Sequence, residues 1–190
     1  MRRGVLPTIR PLNVNPLHGS KKPRHGRKKL RFQKSRVKTM LVIFFDWQGV
    51  IHKEFVPDGE TINAVYYKGV MERLLNRIRR VRPGMCESGD WFLLHDNAPS
   101  HNATIVKQFL AQRKVTVVDH PPYSPDLAPT DYFLFPTHLK GRLFDSISDI
   151  QKAVTSTLNT IPKDDFYKGI QKLYDCANLC VQLEGMYVEN

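Results

Sequence analysis

Asp96 and Asp131 are the residues of this chain best placed to do chemistry. Asp96 follows Trp91-Phe92-Leu93-Leu94-His95, Asp131 follows Pro129-Thr130, and 34 residues lie between them. Each stands at the edge of an apolar run, where a sheet can present a carboxylate to a hard cation such as Mg²⁺, which takes oxygen ligands and keeps several waters. Two such cations ~3.5–4 Å apart activate a nucleophile and stabilise the leaving oxygen of a phosphodiester. Their mutual repulsion calls for shared anionic ligands. The sequence is short of these, because no Asp or Glu precedes Asp46. Asp is also common at turns and helix starts, so on spacing alone the structural reading outweighs the metal one.

The elements that would position the pair follow from pattern. Thr39 to Asp46 is an apolar run of strand length, and Trp47-Gln48-Gly49 turns it into Val50 to Val56, a hairpin. Asp58-Gly59 ends the second strand, Thr61 is the expected cap, and Ile62, Val65, Tyr66, Val70, Leu74, Leu75 and Ile78 recur at helical spacing to about Val81. Trp91 to Leu94 reads as a strand buried on both faces. Pro99 suits the first turn of a helix with Ala103, Val106, Phe109 and Leu110 on one stripe, and Val115 to Val118 is another strand. Strand, helix and strand with short links predict a parallel βαβ pair.

Four prolines between His120 and Pro129 predict a rigid connection, with Asp131 at the start of a helical segment reaching about Leu143. Ser146-Ile147-Ser148-Asp149 reads as a capping box, and Pro162 opens the last helix. The expected architecture is α/β with a mixed sheet and flanking helices.

Charge is segregated. Residues 1–40 hold 13 of the 29 Lys and Arg and none of the 18 Asp and Glu, so the net +11 belongs to the N-terminal end. Residues 1–37 read as a basic, extended or disordered arm and 38–190 as the folded domain. An acid-free block attracts polyphosphate, which marks Lys21, Lys22, Arg24, Arg27, Lys28, Lys29, Arg31, Lys34, Arg36 and Lys38 as candidate DNA contacts; a solvated tail or nuclear-import signal is the competing reading. Three cysteines without a CxxC pair argue for a reducing compartment and against a zinc site. No run approaches the ~20 apolar residues of a membrane span, and Met1-Arg2-Arg3 has no apolar segment behind it to make a secretory signal.

The words around the two aspartates are more specific than their spacing. LLHDNAPSH and VTVVDHPPYSPDLAPTDYFLFP at this interval, preceded by SRVKTMLVIFFDWQGVIHKEFVPDGETIN and followed by CVQLEGMYVE, resemble the catalytic domain of mariner-family transposases over residues 15–190. The resemblance implies a ribonuclease-H-like (retroviral-integrase-like) fold, Mg²⁺ or Mn²⁺ as cofactor, DNA (transposon ends) as partner, a homodimer, a nuclear location, and neither membrane nor small-molecule substrate. By resemblance, Asp96 is the family's second catalytic aspartate and Asp131 its third, both metal ligands. The first belongs to an opening strand in a Gly-Asp-Glu context, for which residues 1–14 offer no acid.

The first strand therefore reads as missing and the chain as N-terminally truncated. Metal binding is then weak or lost and strand cleavage abolished. A non-catalytic DNA-binding protein using its basic N-terminal arm is the alternative. Asp46 is a poor substitute, since by resemblance it sits on the neighbouring hairpin. His95 and His101 read as polar residues of the rim, Asp126 as a turn residue, and Trp47, Trp91, Tyr123 and Phe133 as core.

Overall fold

The computed structural model describes residues 3–13, 38–139, 144 and 146–184. A five-stranded mixed sheet organises the chain: β1 (Arg3–Asn13), β2 (Lys38–Asp46), β3 (Gly49–Val56), β4 (Trp91–Leu94) and β5 (Thr116–Val118), in the order β3-β2-β1-β4-β5. Helices α1 (Ala64–Val81), α2 (Pro83–Ser88), α3 (Thr104–Gln112), a π-helix (Thr130–Leu139), α4 (Ile147–Thr160) and α5 (Lys163–Gln182) complete the layers. The α/β reading and the parallel β4–α3–β5 unit are as expected.

The opening strand, read as missing, is present and central. β1 runs antiparallel to β2, from Leu6 opposite Phe45 to Asn13 opposite Lys38, and parallel to β4, with Arg3, Gly4 and Val5 opposite Trp91, Phe92 and Leu93. Pro7 and Pro11 lack the N–H that a central strand ordinarily donates, and this punctuation hides the strand. The β4 ladder stops at Val5, before the first proline. The sheet thus begins at Arg3, inside the span read as a free arm.

β2 explains the two-sided core. Successive side chains of a strand point to opposite faces. Val42 and Phe44 pack with α1, α3 and Leu93, while Leu41, Ile43 and Phe45 pack with Leu94, Leu134 of the π-helix, α4 and α5. All five of these β2 residues are fully buried. An unbroken apolar run is what a doubly covered strand requires. Gly49 closes the hairpin at φ +121°, a region closed to other residues for conformational reasons rather than for lack of space, since a Cβ there would meet Phe166 only at 3.9 Å.

Caps fix the helix starts. Asn63, two residues beyond the expected Thr61, accepts from the Tyr66 amide at 2.9 Å and begins α1. At α4 the Ser146 hydroxyl accepts from the Asp149 amide (3.1 Å) and donates to the Asp149 carboxylate (2.7 Å), the box anticipated there. On the far face, α5 lies so close to the π-helix that a Cβ at Gly169 would stand 2.9 Å from the Phe133 ring, and the Tyr132 hydroxyl donates to the Gly169 carbonyl at 2.8 Å. That contact holds the helix bearing Asp131 against α5. Among the described residues, no helix is long and apolar enough to cross a membrane.

Candidate active site

Asp96 leaves the sheet just past the end of β4, and its side chain is 64% exposed. The chain does not enter α3 at Pro99, as its sequence suggested. Instead the His101 and Asn102 amides donate back to the Ala98 carbonyl, and α3 starts only at Thr104. This extra turn folds His101 under Asp96. His101 Nδ1 lies 2.6 Å from Asp96 Oδ1, and the Ala98 amide donates to the same oxygen at 3.1 Å. A carboxylate only accepts, so the proton of this contact sits on His101 Nδ1. The hydrogen bond from His101 holds the Asp96 carboxyl below the ordinary carboxylate range, against the opposing effect of burial. Asp96 is thus kept ionised with Oδ1 anchored, while Oδ2 takes no part in these contacts.

Beneath Asp96 lies an aromatic stack. The His95 and His101 rings are parallel within 3° at 5.1 Å, and the Tyr67 ring of α1 lies 4.0 Å from that of His101. Both histidines are buried, at 9% and 3% exposure. Tyr67 Oη and His95 Nδ1 share a 3.1 Å hydrogen bond. Burial lowers the His95 pKa to about 4, with the neighbouring His101 adding to the fall. Burial, with the Asp96 charge adding, holds the Tyr67 phenol far above its usual range. A neutral imidazole and a neutral phenol therefore support the loop. These histidines are structural props of the carboxylate rather than residues of a polar rim, a role set by Tyr67 from a distant helix.

Asp131 is the second residue of the π-helix, its amide donating to the Ala128 carbonyl at 2.7 Å and its Oδ1 lying 3.4 Å from the Thr130 hydroxyl. The Asn97 side-chain amide donates to the His120 carbonyl at 2.6 Å, tying the Asp96 loop to the connection that leads to Asp131. That connection exposes Tyr123 to 95%, at φ +56°, so the expectation of a core tyrosine is corrected: the residue sits at a left-handed turn of the Pro-rich path over the surface. Phe133, by contrast, packs against Phe45 and Phe166.

The carboxylate that the resemblance places first, on the opening strand, has no candidate on β1. Its eleven residues, Arg3-Gly-Val-Leu-Pro-Thr-Ile-Arg-Pro-Leu-Asn13, contain neither Asp nor Glu. Carried three residues beyond Val5 and Leu93, the parallel register brings Thr8 level with Asp96. Asp46 is engaged elsewhere: fully buried, it takes Arg82 Nε and the Arg82 fork at 2.8 and 3.1 Å and the Gln48 amide at 2.8 Å. Among the described residues, no three His, Cys, Asp or Glu side chains cluster as a metal site would need. Two carboxylates, one with an oxygen already committed to His101, do not fit a close pair of divalent cations. Of the basic candidates, Lys21, Lys22, Arg24, Arg27, Lys28, Lys29, Arg31, Lys34 and Arg36 lie outside the described residues, and Lys38 opens β2.

Residues 18–88 match the family model described as "Transposase (partial DDE domain)". Over 156 residues, 80% of this chain, the sequence is 36% identical to the Mariner Mos1 transposase of Drosophila mauritiana, and it covers 45% of that protein. It is 31% identical over 170 residues to the human histone-lysine N-methyltransferase SETMAR, covering 88% of this chain and 24% of that one. The chain thus spans less than half the length of these relatives. The crystal structure of the Mos1 catalytic domain superposes with a TM-score of 0.81 at 31% identity, covering 99% of this chain and 85% of that one. A pre-cleavage Mos1 transpososome gives 0.87 at 32%, covering 99% and 57%. With its ribonuclease-H-like sheet intact and both aspartates in their motifs, this chain belongs to the mariner transposase family.

Proposed function

We propose that this chain is a mariner-family catalytic domain that engages DNA but has lost metal-dependent strand cleavage and transfer. One observation carries the reading: β1 lies in the sheet between β2 and β4, with no acidic residue along it. Mos1 structures are known with Mg and with Mn, including its isolated catalytic domain, and Asp96 and Asp131 are the residues of this chain that would meet such ions. Without a bridging carboxylate opposite them, a close cation pair lacks the anionic charge that offsets its repulsion. What remains is an Asp96 carboxylate oriented by His101 just past β4, and Asp131 in the first turn of the π-helix. A homodimer on transposon-end DNA belongs to the same reading by likeness to the Mos1 paired-end complex, as does a nuclear location.

Supercoiled plasmid incubated with the chain in Mg²⁺ or Mn²⁺ tests the loss of chemistry. Nicking no greater than that by Asp96→Ala supports it, and Mn²⁺-dependent nicking that vanishes in Asp96→Ala refutes it.

The segregation of charge favours a second reading, a non-catalytic DNA-binding protein held by its basic segment. The candidate contacts from Lys21 to Lys38 include ten cations and no acid. Affinity resting on phosphate contacts falls steeply with salt through counterion release. Replacing Lys21, Lys22, Arg24, Arg27, Lys28 and Lys29 with serine should lower duplex affinity and flatten its salt dependence. Unchanged affinity and slope would remove this reading.

A further inference from the structure

The sheet ends in two edges, β3 and β5, and the chain finishes them differently. An edge strand presents unpaired N–H and C=O groups that invite another strand, and proteins blunt it with charge, bulges or cover. β3 carries all three. Its consecutive His52, Lys53 and Glu54 are polar, its register against β2 slips between Phe44 and Phe45, and Arg77 Nε of α1 donates to the Ile51 carbonyl at 3.2 Å. β5 is blunted by none of these. Thr116, Val117 and Val118 are β-branched, uncharged and in regular register with β4, and Val117 and Val118 are 36% and 38% exposed. Among the described residues, no strand lies beyond β5.

Both faces of this edge are apolar. Val117 stands opposite Leu93, on the side of α1 and α3, while Val118 stands opposite Leu94, on the side of the π-helix, α4 and α5. The charges lie at its two ends. Lys114 turns the chain out of α3 at φ +55°, where the Val115 amide donates to the Leu110 carbonyl at 3.0 Å, and Asp119 follows the strand directly. Both are exposed, and neither enters an ion pair among the described residues. A strand with a cation before it and an anion after it is complementary to its own reverse. An antiparallel two-fold pairing lays the Lys114 end of one copy against the Asp119 end of the other, twice over. Parallel pairing would set like charges together.

We propose that the β5 edge is a docking surface for a second copy of this chain, the two sheets becoming one across a two-fold axis. The contact needs no DNA, so it is distinct from a dimer held on transposon ends and does not rest on one. Three residues a side make a short ladder, and the dimer is accordingly reversible and dependent on concentration.

Sedimentation velocity of the whole chain without DNA, over a range of concentrations, tests the proposal. The parent chain should show a monomer–dimer equilibrium. Thr116→Lys/Val118→Lys should abolish it, because each two-fold register centred on Thr116, Val117 or Val118 then sets lysines opposite one another. Lys114→Glu and Asp119→Lys should each weaken the dimer at least about fivefold, since one reversal spoils two symmetry-related contacts. The swap Lys114→Glu/Asp119→Lys should return it to within about twofold of the parent. A parent chain that stays monomeric overturns the proposal. So does a dimer indifferent to Thr116→Lys/Val118→Lys, or a swap no tighter than the single reversals. A dimer that forms only when a duplex is added overturns it too, while leaving the DNA-engaging reading of the chain intact. Circular dichroism melts confirm that the variants fold, and the charge swap decides alone should the lysine variant fail to fold.

Discussion

Asp46 and Asp96 both stand at the ends of strands in one sheet, yet the molecule treats them in opposite ways. Asp46 is fully buried and spends its carboxylate on Arg82 and the Gln48 amide, stapling the β2–β3 hairpin to the end of α1. Asp96 is 64% exposed, with one oxygen fixed by His101. A strand-end aspartate is therefore not a site by virtue of its place. What separates a staple from a reactive group is the partner: a guanidinium that consumes both oxygens, or an imidazole that orients one.

Removing the Asp46 carboxylate should break the comparison most sharply. Asp46→Ala strands Arg82, only 17% exposed, without its counter-charge, and should cost about 3–5 kcal/mol of unfolding free energy, read from urea denaturation. His95 gives the next largest effect. Its folded pKa of about 4 lies below the unfolded value of ~6.5, so below pH 6.5 the unfolded chain binds a proton that the folded chain refuses. Stability tied to His95 is therefore present above that window and is lost as pH falls toward 4, by roughly 3 kcal/mol. His95→Gln should shrink the drop in urea midpoint between pH 7 and pH 4.5; an unchanged drop would contradict the buried neutral imidazole.

Gly169→Ala tests the seat of the second region, since its methyl would press on the Phe133 ring and shift the helix carrying Asp131. We expect a loss of about 1–3 kcal/mol, against the gain that alanine ordinarily brings to a helix. Asp96→Asn should change least, below about 1 kcal/mol, as the Asp96 side is exposed and solvent screens its charge, while the Asn carbonyl still accepts from His101. Its small contribution is present above the unfolded carboxylate pKa and disappears as pH falls through the depressed folded one. A cost for Asp96→Asn as large as that for Asp46→Ala would erase the distinction.

The parts of the fold legible in the sequence are those with local causes. The hairpin announces itself through β-rich runs about Gly49, the β4–α3–β5 unit through its short links, and α4 through Ser146 and Asp149. β1 was not legible because Pro7 and Pro11 interrupt Val5, Leu6, Ile9 and Leu12, and because its partners lie a long way down the chain. One signal did exist. A run as apolar as Met40 to Phe45 belongs to a strand flanked and covered on every side, and β3 supplies a neighbour on only one edge. For the site, Asp96 and Asp131 were readable from the words around them. The support of Asp96 by His101, His95 and Tyr67 was not, because a ring stack drawn from α1 and the β4 loop exists only once the helix packs on the sheet.

The central claim is that the sheet retains the opening strand while the strand no longer supplies the carboxylate that Asp96 and Asp131 need. Mn²⁺ titration of the chain and of Thr8→Asp, followed by calorimetry, tests it most directly, because continuing the β1–β4 register three residues past its last pair, Val5 and Leu93, brings Thr8 level with Asp96. We predict weak binding by the parent chain, and in Thr8→Asp an affinity at least about tenfold higher that is lost again on adding Asp96→Ala. Tight binding of two Mn²⁺ ions by the parent chain, dependent on Asp96, would contradict the account.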